Sequence, residues 1–199
     1  VNGKRLSRDV CGQGDIKARL IYNFYGAPAL ELKDFVRQKK DVVVGASLQV
    51  GAPTGLYDMN RLLNIGANRW FIEPEIGASF PWGNFSVEMA AGVNIFTDND
   101  AYFGGVTLKQ DPLYNLQAHF NYDFSPRQWV SFSGNYYFGG STYQNGVPSP
   151  DRQTNSRVGI QYSIALDRQN ILKLSVSKGV ITRIGNDSNN LGIAWFHRW

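Results

Sequence analysis

Apolar and polar residues alternate with a period of two along most of the chain. The clearest case is segment 114–124, where Tyr, Leu, Ala and Phe residues occupy the even positions and Asn, Gln, His and Asp residues the odd ones. A period of two is typical of a β-strand with one apolar and one polar face. The same pattern recurs in segments 16–24, 42–50, 70–80, 85–95, 130–138, 157–166, 172–177 and 191–199. The sequence therefore predicts an all-β fold of about nine strands, most of them close to the roughly 9–11 residues that a tilted strand needs to cross a bilayer.

The connections between these segments alternate in length. Segments 81–84, 125–128 and 167–170 are short, whereas 53–68, 97–112, 139–154 and 182–190 are long and polar. Outer-membrane barrels have short periplasmic turns and longer extracellular loops, so this order favours an antiparallel transmembrane β-barrel. The connection 26–40 is long although it falls on the side of the short turns. Its apolar residues Leu30, Leu32, Phe35 and Val36 favour a short amphipathic helix at the periplasmic rim, with an irregular turn as the alternative.

The odd number of strands bears on how much of a barrel the chain contains. If the C-terminal strand ends in the periplasm, alternation makes the first strand run towards the periplasm as well. Bacterial single-chain barrels have an even number of strands and both termini in the periplasm. We therefore expect at least one strand before Val1, and residues 1–199 to form a single domain that supplies the C-terminal part of a larger barrel.

Composition narrows the possible functions. Hydrophobic residues make up 43% of the chain and the mean hydropathy is −0.30, and no apolar run approaches the length of a transmembrane helix. Nothing at Val1 resembles a signal peptide, so the chain is cytosolic, mature or part of a longer protein. The net charge of +4, with one small basic cluster at 37–40, does not indicate nucleic-acid binding. Cys11 is the single cysteine, so neither an intrachain disulfide nor a cysteine-based metal site is expected.

Alternation alone does not decide which face meets water, because a soluble barrel turns its apolar side chains inward and a membrane barrel turns them towards lipid. The charged and amide residues of the polar face favour a wet lumen. Aromatic residues at strand ends favour the girdles of a membrane protein, and the aromatic last strand, ending at Trp199, resembles an outer-membrane sorting signal. The predicted girdle residues are Tyr22, Phe24, Trp70, Phe80, Phe85, Phe124, Trp129 and Phe138. The residues predicted to line the pore are Lys17, Arg19, Glu73, Glu75, Glu88, Asn115, Gln117, His119, Asn121, Arg157, Gln161 and Lys173.

Nearly the whole chain also resembles a known family. The motifs that carry the resemblance are 26–30 (GAPAL), 44–50 (VGASLQV), 53–58 (PTGLYD), 64–70 (NIGANRW), 74–77 (PEIG), 96–100 (FTDND), 103–105 (FGG), 110–114 (QDPLY), 192–195 (GIAW) and 198–199 (RW). Together they resemble the outer-membrane channels of the MetA-pathway-of-phenol-degradation family. The resemblance implies a monomeric barrel of twelve strands, often encoded near degradation pathways, that passes hydrophobic or aromatic small molecules. About three strands of the family barrel, at the amino end, have no counterpart here.

Candidate catalytic and metal-binding groups are few. His119 is predicted to face the lumen, whereas outer-membrane lipid hydrolases hold their Ser–His pair on the outer face, where lipid reaches it. A hydrogen-bonded lumen histidine is the prediction, and a lipid-modifying enzyme is an alternative. Asp98, Asn99 and Asp100 offer oxygen ligands for calcium but lack the distal Glu of a twelve-residue loop, so a self-capped turn is favoured. We expect no catalytic residue, no metal and no cofactor.

The long loops are the expected constriction of the pore, because they combine apolar anchors with charge. The residues predicted to form it are Tyr57, Asp58, Arg61, Asp98, Asp100, Tyr102 and Phe103. The sequence predicts a bacterial outer-membrane diffusion channel for small, hydrophobic or aromatic molecules, with a soluble ligand-binding β-barrel as a further alternative. The expected partners are outer-membrane lipid, lipopolysaccharide, the solutes themselves and the barrel-assembly machinery, which would bind the C-terminal strand. A monomer is expected.

Overall fold

The computed structural model of the protein describes residues 9–31, 41–185 and 187–197. These residues form thirteen β-strands and no helix, which confirms the all-β, antiparallel prediction. Within this part of the chain, no helix is long and apolar enough to cross a membrane. Segment 32–40, which holds most of the predicted amphipathic helix, and residues 198–199, which include Trp199, lie outside the described residues.

Nine strands form one antiparallel sheet in which each strand pairs with the next along the sheet. The order is β1-β2-β3-β4-β7-β8-β11-β12-β13. The strands are β1 (Ile16–Tyr25), β2 (Val43–Ala52), β3 (Phe71–Trp82), β4 (Phe85–Phe96), β7 (Leu113–Ser125), β8 (Gln128–Gly139), β11 (Gln153–Ala165), β12 (Asn170–Thr182) and β13 (Asn190–His197). No ladder joins β1 to β13 among the described residues, so these two strands are the edges of the sheet.

Four short strands form a second sheet within two of the long connections. They are β5 (Asn99–Tyr102), β6 (Val106–Gln110), β9 (Thr142–Gln144) and β10 (Val147–Pro148), in the order β10-β9-β6-β5. The turn between β9 and β10 is made by Asn145 and Gly146, whose φ angles of 48° and 81° suit a type I′ hairpin. The sequence predicted long polar loops here, and the structure shows that they are two hairpins joined edge to edge.

The burial of the nine-stranded sheet is the reverse of a soluble protein. No hydrophobic side chain is buried among the described residues, and the buried polar residues are Asn99, Asn115, Ser131 and Ser163. In β7, the apolar residues Leu116 and Phe120 are exposed, whereas the side chain of their polar neighbour Asn115 is only 1% exposed. The apolar face is therefore open to its surroundings, and the polar side chains are packed against one another.

One predicted girdle residue is wrong. Trp129 pairs with Asp123 and Ser163, which places it on the polar face, and the ammonium of Lys173 lies 5.6 Å from its ring centre. Trp129 has the same parity as Ser131 and Ser133, so the period-two pattern itself assigns Trp129 to the polar face. The prediction failed because an aromatic residue at a strand end was assigned to the lipid interface by residue type rather than by parity.

Candidate functional site

The polar face of the nine-stranded sheet holds all twelve residues predicted to line a pore. The pairing registers give these side chains a common parity from β1 to β12. Side chains from non-adjacent strands touch one another on this face, across the strand between them. These side chains therefore lean towards one another and form one continuous polar surface, called the polar wall below.

Two glutamates of β3 are the centre of a hydrogen-bonded network on this wall. Glu73 accepts hydrogen bonds from Asn115 Nδ2 at 2.9 Å and from Gln49 Nε2 at 3.3 Å. Glu75 accepts one from Gln117 Nε2 at 3.0 Å and forms an ion pair with Arg19 of β1. Both carboxylates are therefore held by partners from β1 or β2 on one side and from β7 on the other.

The network crosses β4 at a glycine, where no side chain of β4 stands between the partners. Gly92 pairs with Glu75 on one side and with Asn115 on the other. A Cβ atom built on Gly92 would lie 2.9 Å from Asn115 Nδ2, closer than real Cβ contacts allow. The missing side chain of Gly92 therefore leaves the path by which Asn115 reaches Glu73 from two strands away.

The basic residues of the polar face lie to either side of these glutamates. Arg157 of β11 donates to Ser177 Oγ at 2.8 Å and to the carbonyl and hydroxyl oxygens of Ser188, each at 2.7 Å. Lys173 of β12 lies over the rings of Trp129 and Phe196, at 5.6 and 4.7 Å from their centres. The wall thus carries acidic residues on β3 and β4, flanked by basic residues on β1 and on β11–β12.

His119 and Ser133 form a direct contact on the polar face. The distance from His119 Nδ1 to Ser133 Oγ is 2.8 Å, and Glu88 pairs with His119 across the β4–β7 ladder. A cleft of about 420 Å³ opens beside them, lined in part by Asn121 and Trp129. The pair lies on the polar face, away from the apolar surface, and His119 is hydrogen-bonded there.

An aromatic and cationic cluster lies at the end of the sheet from which the long connections leave, and sequence reasoning missed it. Phe71 and Phe96 are paired neighbours on β3 and β4, with ring centres 6.4 Å apart. The ammonium of Lys17 lies 5.4 Å from the Phe71 ring centre, and the guanidinium of Arg69 lies 4.4 Å from that of Phe96. Phe71 has the same parity as Glu73, so the alternation itself assigned this ring to the polar face.

Several of the residues predicted to form a loop constriction make polar contacts within the long connections. Tyr57 donates to the carbonyl of Ala101 at 3.1 Å, and Arg61 lies 3.9 Å from Asp58. Asp98 pairs with Lys109 at 3.0 Å. The remaining members lie on the β5–β6 hairpin: Tyr102 is half-buried, whereas Asp100 and Phe103 are exposed.

No group of three or more His, Cys, Asp or Glu residues in the described part of the chain is arranged to hold a metal ion.

Asn99 joins the loops, although the sequence indicated only a self-capped turn. It is 1% exposed. Its amide nitrogen donates to Tyr57 Oη at 3.0 Å and to the carbonyl of Ala67 at 3.2 Å. Its oxygen accepts from Asn68 Nδ2 at 2.8 Å and from the backbone N–H of Ala101 at 3.0 Å. The last bond is the self-capping that the sequence predicted, and the others connect the β5–β6 hairpin to the connection between β2 and β3.

Comparison with known proteins agrees with this architecture. The family model described as "Putative MetA-pathway of phenol degradation" matches residues 9–195. Among solved structures, the chain is similar to the crystal structure of the COG4313 outer membrane channel from Pseudomonas putida F1, with a TM-score of 0.78 and 19% sequence identity. The match covers 92% of this chain and 65% of that one, so the chain spans about two thirds of that channel's length. At this identity the likeness shows a shared fold.

A search of curated proteins found no match. The family model nevertheless spans nearly all of the chain; it includes eight strands of the nine-stranded sheet in full and β13 as far as residue 195. The chain therefore belongs to the MetA-pathway-of-phenol-degradation family, as its motifs predicted.

Proposed function

We propose that the chain forms most of the wall of an outer-membrane β-barrel through which small hydrophobic or aromatic molecules enter a bacterial cell. The observation that carries the proposal is the reversed burial of the sheet, with apolar residues exposed and amides and carboxylates packed inside. A sheet of this kind is stable where hydrocarbon covers its apolar face and water meets its polar side. Outer-membrane lipid and lipopolysaccharide are then the partners of the apolar face.

The unpaired edges of β1 and β13 support a larger barrel. In hydrocarbon, a backbone N–H or C=O without a partner costs several kcal/mol, so membrane-spanning sheets are closed. Further strands between β13 and β1 would close this one, and about three would give the twelve strands that the family resemblance implies. A closed barrel has no edge left for pairing with a second copy, which fits a monomer.

The polar wall and the loop cluster suggest how solutes are selected. The wall is wet and charged, so ions and small polar molecules can occupy it. The aromatic rings of Phe71 and Phe96, and the loop layer organised by Asn99, lie at the end where a solute from outside arrives. Apolar and aromatic solutes would gain contact with these rings before they meet the charged wall.

The test combines fractionation with transport. The complete protein should remain with the outer membrane until detergent is added, and in planar bilayers it should give discrete conductance steps. Liposomes that contain it should take up a neutral aromatic solute such as benzamide faster than empty liposomes do. A detergent-free soluble protein would favour a soluble ligand-binding barrel, and a membrane protein without conductance or uptake would contradict the channel.

The enzyme alternative is tested on the same preparation. Because His119 faces the polar side, His119→Ala should leave any hydrolysis of phospholipid vesicles unchanged. Loss of a measurable phospholipase activity in this variant would instead favour a lipid-modifying enzyme built on the contact between His119 and Ser133.

A further inference from the structure

Arg69 stands out among the charged residues because it is largely buried and incompletely bonded. One guanidinium nitrogen, Nη2, donates to Gln110 Oε1 at the end of β6. The other, Nη1, is buried and has no hydrogen-bond partner; no other side-chain nitrogen or oxygen among the described residues is in that state. Burial lowers the pKa of the Arg69 guanidinium below its ordinary value. A buried donor without an acceptor is destabilising, and more so when it is charged.

No acidic side chain in the described part of the chain compensates this charge. Among the described residues, no carboxylate lies within ion-pairing distance of either Arg69 or Lys17. This differs from the wall below, where Glu75 is paired with Arg19. Lys17 and Arg69 therefore lie on the same side of the sheet, at the end from which the long connections leave (called the mouth below), with no described carboxylate paired to either.

The rings beside these cations pack against different neighbours. Phe71 lies over Gly51 of β2, where a Cβ atom would come within 2.1 Å of its Cε1. The guanidinium carbon of Arg69 lies 4.4 Å from the ring centre of Phe96. Both rings are only partly buried, so part of their surface faces the polar side. The mouth thus offers cationic charge and apolar aromatic surface within one cluster.

We propose that this cluster, formed by Lys17, Arg69, Phe71 and Phe96, is a binding subsite for small aromatic carboxylates, a class of solute that the channel proposed above would then favour. The carboxylate is attracted by the positive charge of the Arg69 guanidinium and by the ammonium of Lys17. The aromatic ring of the solute packs against Phe71 and Phe96. Pairs of arginine and carboxylate are among the stronger polar interactions in proteins, and a cluster of one sign of charge also raises the local concentration of anions.

Binding of benzoate to the complete protein in detergent, at low ionic strength, tests the subsite directly. Isothermal titration calorimetry should detect one benzoate per chain, whereas benzamide lacks the charge and acetate lacks the ring. Each of these two should bind at least tenfold more weakly than benzoate. Arg69→Gln should weaken benzoate binding about tenfold or more, equivalent to about 1.4 kcal/mol, and Lys17→Gln should weaken it several-fold.

A matched control is Arg168→Gln, because Arg168 is exposed in the turn between β11 and β12, at the opposite end of the strands. This variant should bind benzoate as the unaltered protein does. If Arg69→Gln fails to fold, as judged by circular dichroism, Lys17→Gln carries the test alone, since Lys17 has no hydrogen-bond or ion-pair partner among the described residues that its loss would break.

The outcomes separate this proposal from the channel itself. If benzoate does not bind, or binds equally to the Arg69 and Lys17 variants, the subsite is wrong even where benzamide still enters liposomes. If acetate or chloride competes for the subsite as well as benzoate does, the role proposed for the rings of Phe71 and Phe96 is wrong. If benzoate binds as expected but benzamide uptake and conductance are absent, the subsite stands and the channel fails.

Discussion

Replacing Asn115 by Ala should destabilise the protein by about 1.5–3 kcal/mol, which is the range for a hydrogen bond to a charged group. Asn115 is 1% exposed, and its amide nitrogen donates to Glu73 Oε1 at 2.9 Å across β4. Water cannot take over this bond readily at a position so thoroughly covered. After the change, Glu73 keeps only the longer bond from Gln49 at 3.3 Å.

The measurement is reversible unfolding in urea, with the protein folded into lipid vesicles and followed by tryptophan fluorescence. A loss of about 1.5–3 kcal/mol lowers the folding equilibrium constant roughly 10- to 150-fold. The matched control is Asn121→Ala. Asn121 donates to Glu88 at 3.3 Å in a more exposed part of the same wall, where water replaces the lost bond, so its cost should stay below about 1 kcal/mol.

A double-mutant cycle with Glu73→Gln identifies the source of the effect. If the bond between Asn115 and Glu73 accounts for the loss, the two changes together should cost clearly less than their sum. Additive costs, or an Asn115→Ala variant no less stable than Asn121→Ala, would show that the bridge across β4 is not what stabilises this region.

Three further predictions concern the faces, the loops and the turns. Ile160→Arg, on the apolar face of β11, should lower the free energy of unfolding in vesicles by about 2–4 kcal/mol. Gln161→Arg, at the next residue and on the polar face, should lower it far less. Equal losses in the two variants would contradict the assignment of faces. Deleting residues 97–108, which include most of the β5–β6 hairpin, should raise single-channel conductance while the barrel remains folded, and an unchanged conductance would place the constriction elsewhere. Hydrogen bonds from Asn170 and the neighbouring backbone lower the pKa of Asp167, so this carboxylate contributes stability at neutral pH that is lost as the pH falls through its folded-state pKa; an NMR titration that finds an ordinary or raised pKa would refute this.

Parity explains which side chains share a face and which sequence-based assignments of faces were wrong. All twelve residues predicted for the pore lie on the polar face, since successive side chains of a strand point to opposite sides. The same rule assigned Trp129 and Phe71 to that face, yet the first was predicted on the lipid side and the second was overlooked. For Trp129, the expectation that aromatic residues at strand ends belong to the lipid interface was given more weight than the position in the repeat.

The sequence by itself determined the strands, their two faces and the order of short and long connections, because these depend on residues within about a dozen positions of one another. Only the tertiary structure decided which side chains meet. Asn115 and Glu73 are 42 positions apart and touch because two registers bring Gly92 between them. Arg69 reaches Gln110 only because the long connections fold into hairpins at the mouth. Contacts between distant segments follow from registers that no local pattern encodes, so the polar network and the cationic cluster became visible only in the folded sheet.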